Sequence, residues 1–250
     1  MSVIWAVAIA GAAIHAAGVQ TTPPPHTSTS APASATDTPD DDIVVVGQNG
    51  DKTRLTADSL RDAAQAYEKY RAEFAPNAPF QFEIRNTDPA KTRGLTLYLR
   101  HRLRERDGSF QTRDVPLDQQ GRFLLPIDLA TTAAWELRTT PNRAGLQISP
   151  LILSPGTDIT DRRMGDLRLQ CRVTVAFARI SVAFRALVSA LNPCNNRSFG
   201  IYAPSRKPLL SAEIPGNNIV ILNPKRPNSY LIPLSNKRVA NDDRLKLTYK

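Results

Sequence analysis

The chain of 250 residues has only two cysteines and three histidines. His15 lies in an apolar N-terminal run and His26 in a Pro/Ser/Thr segment, so only His101 can belong to a folded site. One histidine and two cysteines cannot make a four-ligand zinc site. The sequence contains no G-x-S-x-G elbow, no P-loop and no G-x-G-x-x-G. A Cys–His nucleophile would need Cys171 or Cys194 free beside His101. No cofactor or metal is therefore expected. Aromatic residues make up only 6%, and the first 42 residues hold no Lys or Arg. Against these scarcities stand 20 prolines, which break helix interiors and favour short strands and loops.

Val3 to Ala17 is uncharged and rich in Ala, Val and Ile, and Ala16, Ala17 and Gly18 are small. This pattern predicts a cleaved signal peptide over 1–18, although no basic residue precedes the run. The alternative is an uncleaved anchor, but the run is short of the roughly 20 residues that spanning needs. Export to an oxidising compartment, periplasmic or extracellular, predicts a disulfide between Cys171 and Cys194 rather than two buried thiols. In the chain-entropy model, closing a loop of that size contributes about 3 kcal/mol.

Residues 19–42 read as a linker whose Pro/Ser/Thr/Ala composition cannot offset the entropy of ordering. Two β-rich units are expected beyond it, over 43–155 and 156–250, the second holding the disulfide. Ile43 to Val46 is a β-branched strand ended by Gly47. Leu60, Ala63, Ala64, Tyr67, Arg71 and Phe74 predict a helix, with Thr56 or Asp58 as cap and Pro76 as stop. From Phe80 the period becomes two. Phe80, Phe82 and Ile84, then Leu95, Leu97 and Leu99, mark strands, and Asp107-Gly108 turns the second into Phe110–Val115. Trp135 to Arg138 and Leu146 to Ile148 are shorter strands. Leu167, Leu169, Cys171, Val173, Val175 and Phe177 alternate with polar residues or alanine, which predicts a long strand with one wet face. A helix is expected over Ile180 to Leu191, ahead of Cys194. Strands close the chain at Ile219–Leu222, Tyr230–Ile232 and Leu245–Tyr249. The fold class is mostly β, an antiparallel sandwich-like body with one N-terminal helix and one helix before Cys194. The loosely similar phrases GRFLLPID and NSYLIPLS leave open one β domain or two.

Two short stretches resemble known families. Asp41 to Gln48, with Asp42 ahead of the strand, resembles the segment DDIVVVGQ that opens the plug of TonB-dependent receptors, which implies a Gram-negative envelope. The chain is too short for the barrel of that family. Leu117 to Asp128, LDQQGRFLLPID, resembles a hairpin of transthyretin-like and carboxypeptidase-regulatory-like sandwich modules, which implies a fold class and no function.

The body is basic. Residues 43–250 hold 32 Lys and Arg against 19 Asp and Glu, a net +13. Arg100, Arg102, Arg104 and Arg106 alternate, so on one strand they line one face with Tyr98, and Arg113 joins them past the turn. Arginine binds phosphate and carboxylate through a rigid fork. The row reads either as a platform for an anionic polymer or as a solvated face that keeps an edge strand from pairing. His101 falls in the core-facing phase with Leu99 and Leu103, which suits a hydrogen-bonded structural role. Export makes envelope phosphates, lipid headgroups and acidic polysaccharides the available anions, and nucleic acid is not expected as a partner.

Three functions follow. The preferred one is a non-enzymatic envelope protein that binds an anionic surface through the arginine face. The second is a carboxylate-dependent hydrolase of envelope carbohydrate, with Asp158, Asp161, Asp242 or Asp243 as acid and base. The third is an accessory partner of an outer-membrane receptor or secretion system, with residues 43–48 adding a strand to it.

Overall fold

The structure is a computed structural model that describes residues 5–9, 42–45, 54–85, 92–141, 146–178, 191–196, 199–205, 207–216, 219–220 and 228–250. Its strands are β1 (Trp5–Ile9), β2 (Asp42–Val45), β3 (Arg54–Leu55), β4 (Gln81–Ile84), β5 (Thr96–Arg104), β6 (Phe110–Val115), β7 (Arg122–Leu124), β8 (Trp135–Thr140), β9 (Ile148–Pro150), β10 (Asp161–Arg163), β11 (Phe199–Pro204), β12 (Leu209–Ile214), β13 (Ile219–Val220), β14 (Ser229–Ile232) and β15 (Arg244–Tyr249). Its helices are α1 (Ala57–Phe74), α2 (Ile127–Thr131) and α3 (Met164–Phe177). The chain is mostly β, and every strand pair among the described residues is antiparallel. The described strands form four sheets, in the orders β3-β8-β5-β6, β7-β4-β9, β10-β15-β12-β13 and β14-β11-β1-β2.

Local sequence explains most of the first half. Helix α1 starts after Thr56, whose hydroxyl lies 3.2 Å from that of Ser59, and stops at Phe74 before Pro76. It buries Leu60, Ala63, Ala64, Tyr67 and Phe74, the stripe its spacing predicts, while Arg71 stays exposed. The stretch resembling a sandwich-module hairpin is a tight turn rather than a strand hairpin, since β7 pairs with β4 and β6 lies in another sheet, and it turns for a local reason. The Asp118 carboxylate accepts the backbone N–H groups of Gln120 and Arg122 at 2.9 and 2.7 Å, and Gly121 takes φ +77°. Phe80, Phe82 and Phe123 then pack with Phe177, at ring centroids 5.0 to 5.8 Å apart for the successive contacts.

Residues 164–177 correct the reading of a long strand. They form helix α3. In a helix, residues i and i+4 share a face, and residue i+2 is turned about 200° away. The even alternation is therefore two helical stripes. Leu169, Val173 and Phe177 enter one core, with Leu60, Phe82, Leu99 and Leu137. Met164, Leu167 and Cys171, with Val175 packed alongside, enter a second core, with Ala212, Ile214, Tyr230, Ile232 and Leu245. A strand reading assigns all six apolar positions to one core and leaves the other without its share.

The disulfide forms as expected, with Cys171 and Cys194 at a Cα separation of 5.9 Å, and it fastens the second-core face of α3 to the segment around Asn192. The helix expected over Ile180–Leu191 lies outside the described residues apart from Leu191. The linker over 19–42 does too, apart from Asp42. The apolar N-terminal run supplies β1, which stands between β11 and β2 with Val7 opposite Ile201 and Ile43. Among the described residues no helix is long and apolar enough to cross a membrane.

Gly165 sets how closely the two long helices approach. A Cβ there would sit 2.1 Å from the Phe74 carbonyl oxygen, a backbone atom that cannot swing aside. Its own N–H donates to the Asn241 carbonyl at 2.9 Å. Gly165→Ala is expected to destabilise by about 1–3 kcal/mol through overpacking. At Gly156, where a Cβ meets nothing within 4 Å, only the positive φ is strained, a cost of about 1–2 kcal/mol. Thermal unfolding of both variants, measured with Gly165→Ser as a bulkier third, checks this. Gly165→Ser should be the worst of the three, and a wild-type melting temperature for it would contradict the close approach.

Candidate functional site

The arginine row does not form a single face. Arg100 pairs with Thr112, and Arg104 with Phe110, so four residues of β5 span two of β6 and the strand bulges between them. Arg100 is committed to a carboxylate on the face away from the Leu97–Leu99 row. Its Nη2 lies 3.4 Å from Oε2 of Glu136, which is only 3% exposed and also holds Arg138 at 2.6 Å. Arg102 lies in the bulge, exposed, with Nη1 donating to the Ala133 carbonyl at 3.5 Å. Arg104 is exposed and donates to the Gly108 carbonyl at 2.9 Å. The guanidinium carbons of Arg100 and Arg104 sit 4.4 and 4.7 Å from the centroid of the Phe110 ring, a cation–π pairing on both sides of the bulge. Arg106 is in the turn itself. Arg113 stands opposite Leu99, so it belongs to the other face and does not join Arg100. Tyr98, half-buried, shares its face with Arg100 and Arg138. What remains is a basic hairpin tip. Residues 102–109 are all exposed, and among the described residues none of Arg102, Arg104, Arg106 and Arg113 pairs with a carboxylate.

The tip is held in shape by its own turn. Glu105 N–H donates to Ser109 at 2.8 Å, Gly108 N–H to Glu105 at 3.0 Å, and Ser109 N–H to the Asp107 carboxylate at 2.8 Å. The bonds from Ser109 hold Asp107 below the usual carboxylate range. His101 stands where its phase placed it, opposite Trp135, with the rings edge to face at 5.1 Å and Nδ1 accepting the Leu103 N–H at 3.3 Å. These contacts support its structural role.

A second polar group, which the sequence did not disclose, lies along α3. Asp166 and Gln170, one turn apart and fully buried, accept the backbone N–H groups of Ser154 and Ile152 at 2.8 and 3.1 Å. N–H groups two residues apart in the segment 151–154 are thus matched to side chains four apart on the helix. Arg162 faces inward on β10, opposite Leu245, and is 5% exposed. It donates to Gln170 at 2.6 Å and to the Ile152 carbonyl at 2.8 Å, and it bonds the buried Tyr230, whose hydroxyl burial pushes up. Arg163 donates to Ser154 at 2.9 Å and pairs with Asp242. The pair Arg162-Arg163 is therefore structural rather than solvated loop charge. The signal was present as two polar residues at helical spacing, Asp166 and Gln170, inside an apolar run. Ser154 donates to Asp166 and its hydroxyl is tied to Arg163, so it is an anchored structural group and not a poised nucleophile.

The carboxylates considered for hydrolysis are engaged likewise. Thr160, through its hydroxyl and then its N–H, holds Asp158 below the usual range. The Arg244 guanidinium does the same to Asp161 through a two-pronged bond at 2.8 and 2.9 Å. Asp243 accepts the Ala240 N–H at 2.8 Å. A general acid needs a raised pKa, so both shifts run against that role. Among the described residues no group of three His, Cys, Asp or Glu could hold a metal ion. Comparison with protein-family models, curated proteins and solved structures finds no match.

Asp161 and Asp158 give this region a defined acid response. Their folded pKa values are depressed, so the stability they contribute is present above the unfolded value and lost as pH falls through the lower folded one. Replacing both by Asn is expected to flatten the loss of stability below about pH 4. At pH 7 the Asp161–Arg244 pair, a third exposed on each side, should contribute less than about 1 kcal/mol. Denaturant unfolding across pH 2–7 checks this. An acid slope equal to wild type would contradict the assignment.

Proposed function

We propose that this chain is an exported, non-enzymatic protein that binds an anionic surface or polymer of a Gram-negative envelope through its β5–β6 hairpin. The observation that carries the reading is the contrast between committed and uncommitted charge. Glu136 and Asp166 are buried and each is met by an arginine, whereas Arg102, Arg104 and Arg106 stand exposed at a built tip without a carboxylate partner among the described residues. The tip's acids are Glu105 and Asp107, and the Asp107 carboxylate is occupied by the turn. Export is supported by the Cys171–Cys194 disulfide, which persists in oxidising compartments.

Binding of this kind is electrostatic and should fall steeply with salt, because screening acts over about 10 Å at 0.1 M. Arg102→Gln with Arg104→Gln is expected to shorten retention on immobilised lipopolysaccharide and on an acidic polysaccharide at low salt. Unfolding should change by no more than about 0.5 kcal/mol, since both side chains are exposed. Equal retention of the variant and the wild type would end this reading and leave the arginines as a guard on the edge strand β6.

A further inference from the structure

The tip carries an apolar group among its cations. Leu103 is 72% exposed, between Arg102 and Arg104. The cause lies in the register. Leu97, Leu99 and His101 form the inward row of β5, each paired across to β8, which begins at Trp135 opposite His101. Strand β5 continues to Arg104, so Leu103 extends the row past the start of β8 and is left exposed. The neighbouring strand β6 has only Gln111, Thr112, Arg113 and Asp114 exposed between Phe110 and Val115.

We propose that the β5–β6 tip docks on an anionic lipid layer, with Leu103 entering the boundary between headgroups and acyl chains while Arg102, Arg104 and Arg106 hold headgroup phosphates. The inference rests on the reading of the hairpin as an anion-binding element and names the anion's form. A soluble polyanion offers the arginines partners but gives an exposed leucine no apolar medium. A lipid surface satisfies both, since shallow apolar insertion and attraction to anionic headgroups add. The turn bonds across residues 105–109 and the Phe110 ring between Arg100 and Arg104 keep the tip ordered beforehand, so little entropy is lost on contact.

The test uses the full chain and three probes, namely vesicles of phosphatidylglycerol mixed with phosphatidylcholine, vesicles of phosphatidylcholine alone, and soluble dextran sulfate. Wild type should sediment with the anionic vesicles and not with the zwitterionic ones. Leu103→Ser should lower vesicle affinity about tenfold, the worth of a largely buried leucine side chain, and leave dextran sulfate binding unchanged. Arg102→Gln with Arg104→Gln should weaken both. Thermal unfolding of Leu103→Ser should match wild type, because the side chain is exposed. If Leu103→Ser binds anionic vesicles as wild type does, or if wild type binds dextran sulfate but no vesicle, the lipid proposal fails and the polyanion reading stands. If wild type binds neither, both fail.

Discussion

Helix α3 is shared by two hydrophobic cores, and the rest of the molecule is arranged around that sharing. None of its fourteen residues is exposed. Two apolar stripes lie on nearly opposite sides, and the sectors between them are polar. On one side Asp166 and Gln170 receive the segment 151–154. On the other, Arg168 donates to the Leu234, Asn236 and Val239 carbonyls at 2.7 to 3.1 Å and to the Asn241 side chain. A buried strap needs its N–H and C=O groups satisfied, at about 1–3 kcal/mol for each one left unpaired. The helix supplies those partners for the segments on both flanks. Burying Met164, Leu167, Leu169, Val173 and Phe177 contributes about 10 kcal/mol before the entropy of ordering, as much as the whole net stability of many domains.

That arrangement explains where charge can and cannot be functional. Arg162, Arg163 and Arg168 are spent on carbonyls, Gln170, Ser154, Asn241 and Asp242, holding two loops to one helix. Asp158, Asp161 and Asp243 cap turns or pair with Arg244 in the same region. The hairpin tip is different because it lies beyond the end of β8, away from any such duty. Its bulge between Arg100 and Arg104 turns part of the strand out of the ladder.

Much of the first core was legible because each of its elements keeps its apolar residues on one side, even where the polar residues of the other side, Glu83 and Glu136, are themselves buried. In α1 and in β4, β5 and β8 the apolar residues recur at a single period, and a single period identifies the element. The turn at Asp118 and Gly121 is written locally, since the bonds that make it join residues at most four apart. Helix α3 was not legible, for the same physical reason that makes it central. Two cores write two stripes into one helix, and stripes offset by two residues sum to the alternation of a strand. The role of Arg162 was not legible because an inward arginine is indistinguishable in sequence from a solvated one, and its partners Gln170 and Tyr230 come from other elements. The arginine row was half legible. The residues are exposed as expected from Arg102 onward, but a bulge and the distant Glu136 decided which of them share a face. Such pairings depend on register, and register is a tertiary property.

The most direct test of the shared helix is amide exchange in variants that trim one stripe at a time. The Ile84 amide, bonded to Gly121, reports the first core, and the Leu247 amide, bonded to Thr160, reports the second. Leu169→Ala and Leu167→Ala each remove a fully buried side chain, from opposite stripes, at about 2–5 kcal/mol. If both cores depend on α3, either variant should speed exchange at Ile84 and at Leu247 by similar factors. Exchange quickened at Ile84 alone in Leu169→Ala, and at Leu247 alone in Leu167→Ala, would show two independent cores and contradict the account.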